Sequence, residues 1–306
     1  MRMKLKLIIG ICSILFILSA CSFSNSASDD NIKVATMTTT ESAIMGNMVK
    51  LMIEHYMDED VTLINNLGSS VVAHQAMING DVNISATRYT GTDLTGALGM
   101  DAIKDPKEAM KVVQKAFQEK YDQTFFDSYG FANTYAFMVS KENAKKYNLK
   151  KVSDLKKIAS KMQAGVDSSW MNRPGDGYKA FKKEYDFDFE KVYPMQIGLV
   201  YDAVEAGKMD VVLGYTTDGR IASYDLVVLE DDLHFFPPYD ASPMATNKLL
   251  KAKPEVKKVL QMLVGKISTD QMQKLNYEAD NGLLEPAVVA KNFLDKHNYF
   301  EKEGGK

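Results

Sequence analysis

The sequence predicts an α/β fold of two lobes, joined by two crossing segments with a ligand cleft between them. Three observations lead to this fold class. Segments with strand and helix periodicity alternate over about the first third of the chain, and the alternation repeats from Tyr135 to Tyr215. The chain then finishes with three helical stretches. Such alternation implies parallel strands linked by crossover helices, and two such units imply two lobes.

The N-terminal segment has the pattern of a secretory signal. Residues 1–6 carry three positive charges, and an apolar run from Leu7 to Leu18 follows. This run is shorter than the roughly 20 residues that span a bilayer. It ends in Leu18-Ser19-Ala20-Cys21, which resembles the bacterial lipobox, where the cysteine thiol receives a diacylglycerol. We therefore expect residues 1–20 to be a signal peptide, Cys21 the lipidated first mature residue and residues 21–30 a flexible tether. A cysteine buried near a cleavage site is the alternative.

Cysteine content and charge exclude several classes of function. Cys12 would leave with the signal and Cys21 would be modified, so no thiol remains for a cysteine nucleophile, a cysteine zinc site or a disulfide. Loss of Arg2, Lys4 and Lys6 takes the formal net charge from −3 to −6. A chain of this charge lacks the excess of basic residues that is typical of nucleic-acid binding. No later segment is apolar enough to span a membrane, so we expect a protein that is anchored rather than embedded.

The first lobe is predicted from three strand–helix pairs. The strands are Ile32–Met37, Val61–Leu67 and Asp81–Tyr89, and the helices are Ala43–Tyr56, Val71–Ile78 and Glu108–Tyr121. The three C-terminal helices, Glu255–Val264, Thr269–Glu278 and Pro286–Lys296, are expected to return to this lobe. The prediction assigns residues 31–134 and 244–306 to lobe 1.

The second lobe, residues 135–243, repeats the pattern. Its predicted strands are Tyr135–Val139, Gln163–Asp167, Lys191–Gln196 and Asp210–Tyr215, and its predicted helices are Glu142–Tyr147, Ser153–Ser160, Gly177–Tyr185 and Leu199–Ala206. The chain would cross between the lobes near Asn133–Ser140 and near Phe236–Met244. Ligands of such folds bind beyond the carboxyl ends of the strands.

Catalytic and metal-binding patterns are absent from the sequence. Ser153 and Lys156 match the S-x-x-K nucleophile pattern, but no accompanying K-T-G or S-D-N is present, and a serine at a helix start is ordinarily an N-cap. The histidines are not spaced for a metal site on one element: His55, His74, His234 and His297. We expect no enzyme activity, no metal and no cofactor.

Tyrosines mark the predicted cleft. Tyr89, Tyr135, Tyr215 and Tyr239 fall at predicted strand ends of both lobes. Any one of them could be an ordinary half-buried strand residue. Four together suggest electron-rich rings around a cavity, which attract a quaternary ammonium by about 0.5–2 kcal/mol per desolvated ring. Such a cation has no N–H donors, so aromatic faces suit it better than carboxylates alone.

Longer stretches carry a resemblance to a known family. They are Asn65–Ser70, Arg88–Gly96, Gln123–Tyr135, Asp167–Arg173, Gly175–Tyr178 and Gly214–Arg220. Over about residues 32–300 the chain resembles the substrate-binding lipoproteins of osmoprotectant ABC transporters, of the glycine betaine/carnitine/choline type. The resemblance implies a periplasmic-binding-protein-like fold that closes on its ligand and then docks on a membrane permease.

The resemblance also assigns roles to residues. Relatives hold the trimethylammonium group in a cage that matches Tyr89, Tyr135, Tyr215 and Tyr239. They hold the betaine carboxylate with an arginine that matches Arg173 and a threonine that matches Thr92; an Asp at position 92 would favour choline. Some relatives also use a lysine near the end of the first strand. This chain has Met37 in that vicinity, so the carboxylate subsite is expected to be weaker or supplied differently.

The resulting prediction is a monomeric binding protein, lipid-anchored on the extracytoplasmic face of the cell membrane. It would capture glycine betaine, carnitine and choline-type solutes and deliver them to an ABC transporter permease. Three alternatives stay open: a receptor for choline alone or another amine, an exported serine hydrolase built on Ser153 and Lys156, and a structural scaffold that binds no ligand.

Overall fold

The computed structural model describes residues 31–173 and 176–301, so Cys21 and the predicted signal peptide and tether lie outside the described residues. The described residues from Ile32 onward belong to one compact unit that contains two five-stranded sheets. No helix in the described ranges is both long and apolar enough to cross a bilayer.

The first sheet carries the N-terminal strands. In order across the sheet they are β2 (Val61–Leu67), β1 (Ile32–Met37), β3 (Ile84–Tyr89), β10 (Ala241–Thr246) and β4 (Gln123–Phe125). Strand β1 pairs in parallel with β2 and β3, as the sequence predicts, whereas β10 is antiparallel to both β3 and β4. The periodicity did not predict β4 or β10. Strand β10 is antiparallel because the chain enters it from the second sheet, opposite to the direction in which β3 runs.

The second sheet has the same mixed character. Its order is β7 (Lys191–Met195), β6 (Gln163–Asp167), β8 (Val211–Tyr215), β5 (Tyr135–Ser140) and β9 (Leu226–Val228). Strand β6 pairs in parallel with β7 and β8, while β5 is antiparallel to β8 and β9. The prediction of uniformly parallel strands was therefore wrong for β5. This arrangement confirms the α/β class with two lobes.

Helices flank both sheets. The longer ones before residue 173 are α1 (Thr40–Met57), α2 (Ser70–Asn79), α3 (Pro106–Tyr121), α4 (Lys141–Tyr147) and α5 (Ser168–Met171), and a short helical turn, Thr90–Thr92, runs into a π-helix at Asp93–Ala97. The later ones are α6 (Tyr178–Tyr185), α7 (Ile197–Glu205), α8 (Arg220–Ser223), α9 (Asn247–Ala252), α10 (Pro254–Met262), α11 (Thr269–Asp280) and α12 (Pro286–Lys296). The predicted helix at 153–160 was wrong as an α-helix, because the chain makes two 3₁₀ turns there, Val152–Lys157 and Ala159–Lys161.

Helix starts follow from local capping chemistry. Thr39 accepts a hydrogen bond from the Ser42 backbone N–H before α1, and Ser69 accepts one from Val72 before α2. Proline, which lacks an N–H and so loses nothing at a helix start, opens α3, α10 and α12.

Each sheet has its own core. Helices α10, α11 and α12 pack against α1, and apolar side chains from all four helices join the core of the first sheet. The second core is aromatic: Phe137 lies 4.7 Å from Phe181 and 5.9 Å from Trp170 between ring centroids. The boundaries of the lobes stay predictions, with residues 31–134 and 244–306 in lobe 1 and residues 135–243 in lobe 2. Strand β10 spans the boundary at 243/244 and pairs in the first sheet.

Candidate functional site

A cavity of about 720 Å³ receives side chains from both sheets and from the segments that connect them. All six ligand-binding residues predicted from the sequence line it: Tyr89, Thr92, Tyr135, Arg173, Tyr215 and Tyr239. Other lining residues include Met37, Ser69, Ser70, Lys104, Asn133, Asp176 and Phe235. The predicted site residues therefore meet at one place, although almost all are far apart in sequence.

Strand direction explains why the tyrosines converge. Tyr89 and Tyr215 are the last residues of β3 and β8. Tyr135 is the first residue of β5, but β5 is antiparallel to β8 and pairs Tyr135 directly with Tyr215. The start of β5 and the end of β8 thus lie at the same sheet edge. Tyr239 precedes β10, whose Ala241 pairs with Tyr89.

Tyr135 and Tyr215 form the half of the cavity that the second sheet supplies. Their ring centroids are 5.0 Å apart with an interplanar angle of 50°, and their hydroxyls are 3.4 Å apart. The Tyr135 hydroxyl donates to Asp167 Oδ2 at 2.6 Å, and Asp167 is itself nearly fully buried. Burial is the main reason that the pKa values of both tyrosines lie above the usual value. Both rings therefore stay neutral and electron-rich at physiological pH.

Arg173 joins the two halves of the cavity. Its guanidinium donates to the Tyr135 hydroxyl at 3.1 Å and to the Tyr239 hydroxyl at 3.3 Å, and it lies 5.0 Å above the centre of the Tyr135 ring. Asp176 pairs with it at 3.4 Å. Burial lowers the pKa of Arg173, but Tyr135, Tyr239 and Asp176 outweigh that effect and raise it. A fixed positive charge therefore stands beside the tyrosine rings.

Glu41 holds Tyr89 at the hydroxyl end of its ring. The Tyr89 hydroxyl donates to Glu41 Oε1, and Asn133 Nδ2 donates to the same oxygen at 3.3 Å. Burial, and then the neighbouring Glu41, raise the pKa of Tyr89 well above its usual value. Glu41 lies just before the helix predicted from Ala43 and was not among the site residues predicted from the sequence.

Close backbone packing positions Thr92 and Tyr239. A Cβ atom on Gly91 would lie 2.6 Å from the Pro238 carbonyl oxygen and 3.2 Å from the Tyr239 ring, so only glycine permits this approach. The Thr90 hydroxyl donates to the Pro238 carbonyl at 3.0 Å and accepts from the Asp240 N–H at 3.2 Å. The turn that carries Thr92 is thus fixed to the segment that carries Tyr239.

A buried ion pair fixes the other side of the same turn. Arg88 and Asp93 are fully buried and paired, and Arg88 also donates to the Ser70 carbonyl at 3.0 Å. Ser70 begins α2, and its hydroxyl donates to Met37 Sδ at 3.4 Å. The pair therefore holds the Thr92 turn against the start of α2, where Ser69 and Ser70 face the cavity.

The serine and lysine of the hydrolase alternative lie outside this cavity. The Ser153 N–H donates to Asp232 at 3.1 Å, and Lys156 pairs with Asp186 at 2.8 Å near the surface. The Ser153 backbone and the Lys156 side chain thus contact two separate acids. Among the described residues no group of three or more histidine, cysteine or acidic side chains is placed to hold a metal ion.

Comparisons with known proteins identify the relatives of the whole chain. The family model for the substrate-binding domain of ABC-type glycine betaine transport systems matches residues 30–296. A carnitine transport binding protein of Listeria monocytogenes is 58% identical over 286 residues, which cover 93% of each chain. A crystal structure described as a glycine betaine/carnitine/choline ABC transporter superposes with a TM-score of 0.86 at 62% identity, covering 89% of this chain and 100% of that one. An ergothioneine transport permease/binding protein of Helicobacter pylori is 31% identical over 89% of this chain and 48% of its own length.

Proposed function

We propose a ligand class for this chain on one premise: it belongs to the family of substrate-binding domains of ABC-type glycine betaine transport systems. It is a substrate-binding protein of an ABC importer and not an enzyme. The proposed ligands are quaternary ammonium osmoprotectants, namely glycine betaine, carnitine and choline-type solutes, which the chain would capture outside the cytoplasm and deliver to the permease.

One observation carries the proposal. Tyr89, Tyr135, Tyr215 and Tyr239 come from both sheets and from a connecting segment, yet all line the same cavity. A trimethylammonium group spreads its charge over methyl groups that donate no conventional hydrogen bond, so it is bound best by ring faces, each contributing about 0.5–2 kcal/mol. The 58% identical relative carries carnitine in its name, and carnitine contains this group.

The opposite end of the ligand would lie at Arg173 and Thr92. A guanidinium pairs with a carboxylate through two parallel hydrogen bonds, which gives both strength and direction. Arg173 and Lys104 are the cationic side chains among the lining residues. Lys104 is therefore the second available cation in a chain that has Met37 in the vicinity of the lysine that some relatives use.

Choline alone, or another amine, is the alternative within the binding class. Ergothioneine belongs among the candidates because the 31% identical Helicobacter relative is named for it and because it too joins a trimethylammonium group to a carboxylate. The cavity volume of about 720 Å³ accommodates ligands larger than glycine betaine.

The location of the protein is part of the proposal. Cys21 would carry the lipid, residues 1–20 would be removed, and the folded part would stand as a monomer on the extracytoplasmic face of the cell membrane. The support is the basic start, the short apolar run and the Leu18–Cys21 sequence.

A thermal-shift panel tests the ligand class. We expect glycine betaine and carnitine to raise the melting temperature in a concentration-dependent way, because a ligand that binds only the folded state stabilises it. Choline, proline betaine, ergothioneine, ectoine and proline complete the panel. Tyr215→Ala should abolish the shift, while Tyr193→Ala, at an exposed tyrosine on β7, is the matched control and should not. Absence of a shift with every quaternary ammonium compound, together with a shift by another amine or amino acid, would refute the proposal.

A further inference from the structure

Glu41 is a buried carboxyl group with no ion-pair partner. It lies in the first turn of α1 and is 2% exposed. None of the ion pairs among residues 31–173 and 176–301 includes it. Of the other two buried acids in the described ranges, Asp93 is paired with Arg88, and Asp167 accepts from the Tyr135 and Ser169 hydroxyls. An unpaired carboxylate in a protein interior is costly, so its presence here calls for a physical reason.

The surroundings of Glu41 are neutral and rich in acceptors. Tyr89, Asn133, Thr217 and Asn276 face the carboxyl group, and each opposes the effect of burial, which raises the pKa of Glu41. Three buried oxygens in this cluster accept from no donor in the described part of the chain: Glu41 Oε2, Asn133 Oδ1 and Asn276 Oδ1. When Glu41 is ionised, this cluster therefore holds a negative charge that no cation among the described residues compensates.

Two side chains connect this excess to the cavity. Tyr89 and Asn133 both line the cavity, and both donate to Glu41 Oε1. Glu41 itself does not line the cavity, and its carboxyl group lies beyond the hydroxyl end of the Tyr89 ring. A cation against the cavity side of that ring would interact with the ring face and with the carboxylate beyond the hydroxyl. Low-dielectric surroundings make such an interaction stronger than it would be in water.

We propose that Glu41 is a positioning and specificity-determining residue of this cavity: it holds Tyr89 through the hydroxyl, and its negative charge is compensated by the ammonium group of the ligand. The inference rests on the proposed function and deepens it. Burial of an uncompensated carboxylate lowers the stability of the ligand-free protein and raises its preference for a cation over a neutral molecule of the same shape.

Two substitutions separate charge from shape. Glu41→Gln keeps the shape and removes the charge, and its amide can donate to an unpartnered Asn133 or Asn276 oxygen. Glu41→Asp keeps the charge but shortens the side chain. If the charge matters, Gln lowers the affinity for glycine betaine and choline by about tenfold, and the melting temperature of the ligand-free protein stays equal or rises. Asp should retain more affinity than Gln. Glu54→Gln, in the last turns of α1 and paired with Lys50, is the matched control.

Isothermal calorimetry and ligand-free melting curves of the four proteins decide the question. Wild-type affinity in Glu41→Gln would overturn the inference while leaving the proposed function intact. So would parallel losses of affinity and melting temperature with Gln tolerated better than Asp, because that ranking indicates a purely structural role. Failure of the wild-type protein to bind any quaternary ammonium compound would instead overturn the proposed function, and this inference with it.

Discussion

Arg173→Ala should separate zwitterionic ligands from choline. The Arg173 guanidinium lies 5.0 Å above the centre of the Tyr135 ring and donates to the Tyr135 and Tyr239 hydroxyls. It therefore occupies a ring face that a ligand cation would use. Removing it deletes the proposed partner of the ligand carboxylate and at the same time frees that ring.

The size of the change in affinity follows from the loss of the carboxylate partner and the gain of a free ring face. Truncating one partner of a desolvated charge pair costs about 2–5 kcal/mol. The Arg173 side chain is 32% exposed, so solvent screening places the loss near the lower end. Freeing one ring returns about 0.5–2 kcal/mol to any cation. Glycine betaine and carnitine should lose roughly tenfold in affinity, which corresponds to about 1.4 kcal/mol, while choline should be unaffected or bind more tightly.

Calorimetric titration of both ligand types measures this split. Lys182→Ala is the control, because Lys182 also lies over a tyrosine ring, that of Tyr178, but does not line the cavity. Thr92→Asp should act in the same direction as Arg173→Ala, since a negative charge there repels a carboxylate and favours a net cation. Equal losses for glycine betaine and choline in Arg173→Ala would show that the residue supports the structure of the cavity generally and does not read the carboxylate.

Three further predictions concern the cage, the turn beneath it and the anchor. Tyr135→Ala should weaken betaine binding in calorimetry and Tyr135→Phe less so, but Phe should still bind more weakly than wild type because the hydroxyl donates to Asp167; wild-type affinity in the Ala variant would exclude Tyr135 from the cage. Asp93→Asn leaves Arg88 buried without a counter-charge and should cost about 3–5 kcal/mol in urea denaturation, against no change in stability if the pair contributes nothing. Cys21→Ser should release the protein from the membrane fraction and abolish incorporation of labelled lipid; unchanged labelling would contradict the lipobox assignment.

Much of the fold was predictable from the sequence because its signals are local. Helix α1 needs only apolar residues at helical spacing and a threonine cap, and both are visible in the chain: Ile44, Met48 and Met52 are fully buried, and Thr39 accepts from Ser42. The carboxyl ends of β3 and β8 follow from the same periodicity. Tyr89 and Tyr215 could thus be assigned to one cleft before any coordinates were known.

The features that the sequence did not predict depend on contacts between segments that are distant along the chain. The antiparallel direction of β5 follows from its pairing with β8 and β9, which local periodicity does not encode. The helix predicted at 153–160 becomes 3₁₀ turns, with the Val152 and Ser153 N–H groups donating to Glu230 and Asp232. Glu41 is the clearest case, since its partners Tyr89 and Asn133 lie 48 and 92 residues away.

The division of the cavity between two sheets has a consequence for how binding is coupled to structure. Tyr89 belongs to the first sheet and Tyr135 and Tyr215 to the second, so the proposed cation would contact both sheets at once. The connecting segments are themselves joined, since the Asn133 N–H donates to the Tyr239 carbonyl at 3.1 Å. Any rotation of one sheet relative to the other would therefore separate the ring faces and forfeit their summed attraction. A ligand that contacts several rings favours the arrangement of the two sheets in which those rings lie together. The shift toward this arrangement cannot exceed the difference in the ligand's binding free energy between the arrangements with the rings together and apart. Glu41 would add to that difference by holding Tyr89 in place through its hydroxyl. The proposed selectivity for a cation and the proposed preference for the arrangement with the rings together thus depend on the same contacts, those of the ligand with the tyrosine rings.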